Sequence, residues 1–499
     1  MIHVYRRARA RRSAALIAIA LVPSACAVIR PVKLGPAPAP KSFFVSDRGA
    51  AEPKPSGPET PETGRVTDKE VWWSAFADPA LDAVIQEALR NNYFIRDVRT
   101  LIRENGLDPT TPQGWWWPLQ IGIPAVTPAG IQRVSVGVPP SPESNPPIAA
   151  SQSQYTSANV GLTASYQVDL WGNLDTRRRV GKDLVEQQRQ STELASQNLA
   201  EQVAQLWFDI LVERALKELT EGEVTHNQEL FDLVKARFDQ HLVPRLAVLQ
   251  QEQQLLNIRS QVPLVAARIA VLNSQLTALL GRVPSQRDDV VPADRKLPAL
   301  PPPPKLGTPS DLNETTPEMR FARLRVTEIE HRVNQNLSSW LPVIEVLGSA
   351  GVVSFGFSDT IMESFAGVRL SWPIFDGGRR ITEAKQLELT LKRRKWQYEL
   401  AIKAAVGRVQ DALLQEKSQA ESLQSLRGQI ELGQRVLDEA RKIFEQGQSD
   451  YLPVLTALAN LAALDRDGLR AQRLLLAYRV QLYRALGGMW SYAVTELPN

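Results

Sequence analysis

The stretch VRLSWPIFDGGRR, residues 368–380, changes from the pattern of a β-strand to the pattern of an α-helix. Apolar and polar side chains alternate through its first half, and a long helical pattern begins after Gly378. A glycine pair between a strand and a helix either cradles a phosphate group or serves as a joint in the backbone. A phosphate loop would continue with a lysine and a hydroxyl residue, whereas Arg379 and Arg380 follow here. Gly377 and Gly378 are therefore interpreted as a strand-to-helix joint.

A second strand of the same kind leads into another glycine in the first half of the chain. Every second residue of 158–170 is apolar, and the run ends at Trp171-Gly172, so Gly172 is the matching joint. Two weaker strand patterns, at about 118–138 and 340–356, precede the clean ones. A tilted strand needs about 9–11 residues to cross a membrane. The sequence therefore predicts four membrane strands per chain.

Two long helices follow the clean strands. Proline is absent from about 173 to 240 and from about 379 to 446, and a helix of about 65–70 residues is roughly 100 Å long, too long for a compact domain. In the second half, mostly apolar residues recur at alternating steps of three and four, which is coiled-coil spacing. These positions are Leu423, Leu426, Ile430, Gly433, Leu437, Ala440 and Phe444, then Leu455, Leu458, Ala462, Asp465 and Leu469.

The chain also repeats itself at an offset of 206 residues, because 237–241 align with 443–447, and 246–249 with 452–455. Several separated matches at one offset indicate a duplicated unit. Each unit contains a short helix, two strands, a long helix, a sharp reversal and a returning helix. The predicted segments are a first repeat (71–284), a linker (285–312), a second repeat (313–490) and a tail (491–499), with reversals at 238–246 and 444–452.

The N-terminus predicts export from the cytoplasm. Basic residues precede an apolar run at 14–22 that is too short to span a bilayer, so residues 1–25 are interpreted as a signal peptide. Cys26, the only cysteine, follows small residues and is the predicted site of lipid attachment, for example by palmitate. The proline-rich residues 26–70 are then a tether. The alternative is an ordinary signal peptide cut just beyond Cys26, which would remove it.

The composition does not indicate nucleic-acid binding or catalysis. The net charge is +4, from 58 basic and 54 acidic residues, without a dense basic patch interleaved with aromatic residues. The four histidines lack the spacing of metal ligands, and the common motifs of hydrolases and phosphate-binding enzymes are absent. We therefore expect no enzymatic activity, catalytic residue, cofactor, metal or nucleic-acid partner.

Four strands are too few to close a membrane barrel, because single-chain barrels have about eight or more. An open sheet edge in lipid leaves unpaired backbone groups, each at a cost on the order of several kcal/mol. The strands of several chains must therefore be pooled in an oligomer.

Six motifs, in this order, resemble the TolC-like outer-membrane efflux proteins, specifically their lipid-anchored, NodT-type branch of RND efflux channels. They are Trp72-Trp73 with Asp78-Pro79, Asp169-Leu170-Trp171-Gly172, the reversal 238–249, Leu279-Leu280-Gly281, Pro373-Ile374-Phe375-Asp376-Gly377-Gly378-Arg379, and Gln446-Gly447 with Val454-Leu455. The resemblance spans about residues 71–490.

This resemblance implies a mixed fold, a membrane β-barrel together with a long α-helical, coiled-coil barrel. The chain would supply two tandem structural repeats and four strands per protomer, closed only as a trimer. The implied location is the cell outer membrane, with a lipid anchor and an extension into the periplasm. The implied partners are two further copies of the chain, a periplasmic adaptor (membrane fusion) protein, an inner-membrane pump of RND or other export type, and outer-membrane lipid. The implied function is passive conduction of compounds from pump and adaptor to the outside.

The resemblance also places a gate at the two helix reversals. The residues expected at these periplasmic tips, where an aperture would form, are Asp239, His241, Arg245, Glu445, Gly447 and Asp450. Relatives carry glycine at each turn and an aspartate just before a Val-Leu pair. This chain has His241 at the first turn, and Ala247 and Pro453 at the aspartate positions, so an aperture built on those aspartates is not expected.

A periplasmic coiled-coil adaptor or scaffold lipoprotein without a pore is the alternative function. It would share the export signal, the long helices and the repeat. It would not need strands with five or more outward apolar residues that lead straight into helices. The sequence does not select among drugs, metal ions, solvents and proteins as the exported compound, and it does not identify the pump.

Overall fold

The computed structural model describes residues 71–107, 119–123, 132–135, 152–155, 157–284, 289–304, 306–355 and 359–487. The predicted signal peptide, Cys26, the tether and the C-terminal tail lie outside these described residues. The helices are α1 (Pro79–Asn91), α2 (Tyr93–Gly106), α3 (Asn173–Asp239), α4 (Arg245–Leu279), α5 (Leu312–Thr315), α6 (Pro317–Ser338), α7 (Arg379–Glu445) and α8 (Leu452–Ala485). The strands are β1 (Leu119–Gly122), β2 (Gln132–Ser135), β3 (Gln152–Tyr155), β4 (Ser157–Val168), β5 (Val343–Phe355) and β6 (Asp359–Ser371).

These residues fall into two compact units. The sheet unit contains residues 105–185 and 325–394, and the helical unit contains residues 71–104, 186–324 and 395–487, as far as each is described.

The sheet unit is built on a four-stranded antiparallel sheet in the order β1-β4-β5-β6, and β2 pairs separately with β3. Val168 lies opposite Ile344, which lies opposite Leu370, so the three long strands share one register. Among the described residues, β1 and β6 each pair with one neighbour only and form the two edges of the sheet.

The register separates an apolar face from a more polar one, because residues directly opposite each other project from the same side of the sheet. The apolar face carries Val160, Leu162, Ala164, Tyr166 and Val168 of β4, Ile344, Val346 and Val352 of β5, and Val368 and Leu370 of β6. The other face carries the polar residues Thr163, Ser165, Gln167, Glu345, Ser349, Glu363 and Arg369, together with the apolar Leu347, Val353, Ile361 and Phe365. Such a separation is typical of strands that cross a membrane in a barrel.

Both clean strands end earlier than the alternation predicts. β6 stops at Ser371, before Trp372, because Pro373 has no N–H to donate to the sheet. β4 stops at Val168, because the next residue, Asp169, turns back to bind the start of α3.

The two long helices confirm the duplicated architecture. α3 and α7 each contain 67 residues, and both of their ends differ by the offset of 206 found in the sequence. The reversals that follow are short, since α4 begins at Arg245 and α8 at Leu452. The helical bounds thus agree with the proline-free segments to within a residue.

The largest core of the helical unit forms around the N-terminal 3-10 turn, Trp72–Phe76. Trp73 is almost fully buried with Trp207 and Phe208. Asp78 caps α1 by accepting a hydrogen bond from Ala80 N at 3.1 Å, and it also accepts one from Trp207 Nε1 at 3.2 Å. The first tryptophan motif therefore anchors the start of the described chain to α3.

Arginines of α8 bind acidic residues of α3 along the antiparallel contact of these two helices. The pairs are Arg466 with Glu223, Arg473 with Asp209, and Arg484 with Glu201. Because α3 belongs to the first repeat and α8 to the second, these pairs fix the register of one repeat on the other.

Candidate functional site

The strand-to-helix joint of the second repeat is organised by Asp376. Its carboxylate accepts hydrogen bonds from Gly378 N and Arg380 N, both at 3.2 Å, at the start of α7. Gly377 and Gly378 have φ angles of 67° and 85°, which non-glycine residues adopt only at a cost. The hydrogen bond from the Arg380 side chain, together with those from the two backbone amides, holds the pKa of Asp376 below its usual value.

Arg380 is buried inside this joint. Its Nε donates to Asp376 at 2.7 Å, and its Nη1 donates to Ser339 O at 3.1 Å. A further bond joins Nη2 to Pro373 O, and the guanidinium carbon lies 5.1 Å from the centre of the Trp340 ring. All of these contacts of Arg380 lie within the joint. Of the two arginines, Arg379 is the exposed one.

The first joint has the same form but different contacts. Asp169 accepts hydrogen bonds from Leu174 N at 3.0 Å and Asp175 N at 2.9 Å, at the start of α3. Gly172 has a φ of 69°. Trp171 Nε1 donates to Pro342 O at 2.7 Å. The sequence identified Gly172 as the joint and Asp169 as part of a motif, but it did not predict that Asp169 caps α3, because the carboxylate stands three residues before the glycine rather than beside it.

The two helix reversals have the same backbone hydrogen bonds. At the first, His241 N donates to Phe238 O and Leu242 N donates to Arg237 O, both at 2.9 Å. At the second, Gly447 N donates to Phe444 O at 3.0 Å and Gln448 N to Ile443 O at 3.1 Å. This is the Schellman pattern that ends many helices. The left-handed position is filled by His241 (φ 59°) in one reversal and Gly447 (φ 71°) in the other.

All six residues expected at the tips lie on the surface of the described chain. Asp239, His241, Arg245, Glu445, Gly447 and Asp450 are each exposed. Ala247, which replaces one of the expected aspartates, is buried. The structure thus brings the predicted residues to the surface of the reversals, and their role at an aperture stays a prediction.

The reversals also contain a buried polar chain that the sequence did not reveal. Tyr451 Oη donates to Gln251 Oε1 at 2.6 Å, and Gln251 Nε2 donates to Asn227 O at 2.9 Å. All three side chains are buried, and burial raises the pKa of Tyr451, so its hydroxyl keeps its proton. Asn227 Nδ2 continues the chain to Glu223 O at 2.8 Å.

Burial and an arginine partner act in opposite directions on the pKa of an acidic residue of α3. Burial raises the pKa of Glu223, and its partner Arg466, whose Nη1 lies 2.9 and 2.8 Å from the two carboxylate oxygens, opposes that rise. Among the described residues, no group of three or more His, Cys, Asp or Glu side chains is placed to hold a metal ion.

Comparison with known proteins matches most of both repeats. The family model described as "Outer membrane efflux protein" matches residues 129–282 and 308–488. The toluene efflux pump outer membrane protein TtgF of Pseudomonas putida is 26% identical over 495 residues, which cover 95% of this chain and 96% of TtgF. The pyoverdine export outer membrane protein OpmQ of Pseudomonas putida is 25% identical over 451 residues, which cover 87% of this chain and 92% of OpmQ.

The fold also matches a solved channel. The outer-membrane channel OprN superposes with a TM-score of 0.78 at 19% identity, over 93% of this chain and 99% of that chain.

Proposed function

Because the chain belongs to the outer membrane efflux protein family, we propose that it acts as the trimeric exit duct of a tripartite efflux system. In this function it conducts compounds passively from an inner-membrane pump and a periplasmic adaptor to the outside. The pump supplies the energy, and the duct itself catalyses no reaction.

The observation that carries the oligomer is the four-stranded sheet with its apolar face and its two edges, β1 and β6, and the number of three copies is what the family implies. An apolar face of this kind belongs in lipid, where unpaired edges are not tolerated. Three chains that join β6 of one to β1 of the next would pair every edge and close the sheet. A cyclic arrangement of identical head-to-tail contacts is the usual way in which such rings form.

An apolar stripe on α4 supports the same assembly. Leu249, Leu256, Leu264 and Val271 recur at about seven-residue steps and are exposed in the single chain. Among the described helices, α4 alone is long and apolar enough to cross a membrane by length and composition. An exposed stripe with this spacing is typical of a coiled-coil seam, so we propose that α4 packs against a neighbouring copy of the chain.

Electrophysiology and gel mobility distinguish the proposed channel from the alternative function, an adaptor or scaffold without a pore. We expect the purified protein to run as a trimer without heating, to shift to a monomer after boiling, and to form ion-conducting channels in planar bilayers. A protein that salt alone extracts from membranes, and that forms neither trimers nor channels, would be the adaptor or scaffold.

The class of exported compounds is tested in cells. TtgF is described by toluene efflux and OpmQ by pyoverdine export, so we propose export of small organic compounds, with selection made by the pump. A deletion strain should become more sensitive to at least one class among solvents, antibiotics, detergents and metals. Unchanged tolerance to all four would exclude a duct for small toxic compounds.

We also propose that Cys26 carries the lipid anchor. Changing Cys26→Ser should abolish labelling by radioactive palmitate and leave the unheated trimer intact. Retention of the label in this variant would show that the anchor lies elsewhere, since the chain has a single cysteine.

A further inference from the structure

Arg237, in the last turn of α3, binds the end of a different helix. Its Nη1 donates to Phe444 O at 2.9 Å and its Nη2 donates to Glu445 O at 3.1 Å. These are the last two carbonyls of α7. The guanidinium carbon also lies 4.5 Å from the centre of the Phe444 ring. One side chain of α3, next to the first reversal, therefore binds the second reversal through both its backbone and its aromatic ring.

A guanidinium group suits the C-terminus of a helix. The last carbonyls of a helix have no partner within the helix, and the C-terminus carries a partial negative charge. A guanidinium offers a planar pair of N–H donors and a positive charge, which satisfies both requirements at once. Bonds from a charged donor are stronger than those between neutral groups, so the α7 terminus has a cap from outside its own repeat in addition to its own Schellman bond from Gly447 N to Phe444 O.

A second set of contacts holds the other side of the same reversal. Tyr451, at the entrance of α8, packs edge-on against Phe444 with ring centres 5.3 Å apart. Its hydroxyl reaches Gln251 of α4, which in turn binds Asn227 of α3. The contacts form a closed circuit from Arg237 through Phe444, Tyr451, Gln251 and Asn227 back along α3. Residues 446–450 lie between the two points at which this circuit holds the second reversal.

The circuit is not symmetric between the repeats. The offset of 206 places Ile443 at the position equivalent to Arg237, and an isoleucine cannot cap a helix end. The second reversal therefore receives a contact from α3 for which, among the described residues, position 443 of α7 offers the first reversal no equivalent.

We propose that Arg237 is the residue that positions the second reversal, by capping the C-terminus of α7 from α3. Without its fork, the end of α7 loses this cap, and the segment 444–452 is held only through Tyr451 and becomes more mobile. Where the reversals form the mouth of the duct, as the proposed function implies, this release enlarges the opening for ions.

The test compares Arg237→Gln with Lys235→Gln in the purified full-length trimer. Both changes remove one positive charge from the same turn of α3, but Lys235 is exposed and stands outside the circuit. Hydrogen exchange of peptides covering 440–455, read by mass spectrometry, reports the local release. Thermal dissociation of the trimer reports its global stability, and single-channel recordings report the opening.

We expect exchange at 444–452 to accelerate by about tenfold or more in Arg237→Gln, as the loss of a charge-assisted hydrogen bond predicts. Lys235→Gln should exchange like the wild type, and both variants should dissociate within a few degrees of it. Arg237→Lys should recover part of the protection, because the charge remains and the fork is lost. Channel conductance should rise in Arg237→Gln only.

Equal exchange at 444–452 in Arg237→Gln and Lys235→Gln would overturn the proposal. If Arg237→Gln fails to assemble, Arg237→Lys is compared with the wild type instead. Exchange at 444–452 at the wild-type rate in Arg237→Lys would then overturn the proposal. Failure of the wild type to conduct would instead refute the duct, and the exchange experiment would still decide the role of Arg237.

Discussion

The two repeats use different side chains at equivalent positions, both at their helix reversals and at their strand-to-helix joints. His241 and Gly447 occupy the same left-handed position with the same pair of backbone hydrogen bonds. Asp169 and Asp376 both cap a long helix, but only Asp376 also holds a buried arginine. The duplication has preserved the backbone geometry, whereas the residues that stabilise it differ. We therefore expect the second repeat to depend on Gly447 and Asp376 more strongly than the first depends on His241 and Asp169.

The largest effect is expected from Gly377→Val with Gly378→Val. Both glycines have left-handed φ angles, and a Cβ at either would meet nothing within 4 Å, so the cost is conformational. At about 1–2 kcal/mol or more for each left-handed position, the pair should lose roughly 3 kcal/mol and form little trimer on an unheated gel. Gly407→Val with Gly428→Val is the control, because these glycines are helical and also have open space. Equal trimer yield in the two double variants would show that the joint tolerates ordinary residues.

The two caps should differ when each is removed. Asp169→Ala loses two hydrogen bonds at the start of α3 and should cost about 1 kcal/mol, the usual value for a helix cap. Asp376→Ala should lower the dissociation temperature of the trimer further, because it also leaves the buried guanidinium of Arg380 without its carboxylate. Asp411→Ala, at an exposed position of α7, controls for the loss of a charge. A larger loss in Asp169→Ala would reverse the comparison of the joints.

Exchanging residues between the reversals should give smaller effects of opposite sign. Gly447→Ala places a Cβ at a φ of 71° and should destabilise the second reversal by about 1 kcal/mol. His241→Gly relieves a similar strain and should stabilise the first by about 0.5 kcal/mol, after the greater freedom of glycine in the unfolded chain is deducted. Local hydrogen exchange at each reversal measures both changes. Slower exchange in Gly447→Ala would contradict the assigned strain.

The smallest expected effect is a pH dependence of trimer stability that arises from Asp376 at the second joint. The pKa of Asp376 is lowered in the folded chain, so its stabilising contribution is complete above the unfolded pKa of about 3.9. That contribution is lost as the pH falls through the folded value. The difference in dissociation temperature between the wild type and Asp376→Asn should therefore be present at neutral pH and shrink below about pH 4. A difference that grows on acidification would refute the assignment.

The sequence predicted the elements that local pattern controls. Both long helices end within a residue of the proline-free segments, and the positive φ angles of Gly172, Gly377 and Gly378 fall at the predicted joints. These features depend on periodicity, proline and glycine, which act through neighbouring residues.

The contacts that the sequence did not predict join residues far apart in the chain. Arg237 meets α7 about two hundred residues later, and Tyr451 meets Gln251 at a similar separation. Arg380 is buried by partners that no sequence pattern identifies, the carbonyls of Ser339 and Pro373. Buried polar side chains of this kind are specified by tertiary packing, and no local pattern marks them.

The two edges of the sheet have a genetic consequence. If a barrel closes only when three chains each supply an intact set of strands, a single defective chain spoils the ring that it enters. In a cell that makes intact and defective chains in equal amounts, random assembly leaves only about one-eighth of the trimers wholly intact. Variants that damage β1 or β6 but still trimerise should therefore behave as dominant alleles, whereas variants that never assemble should be recessive.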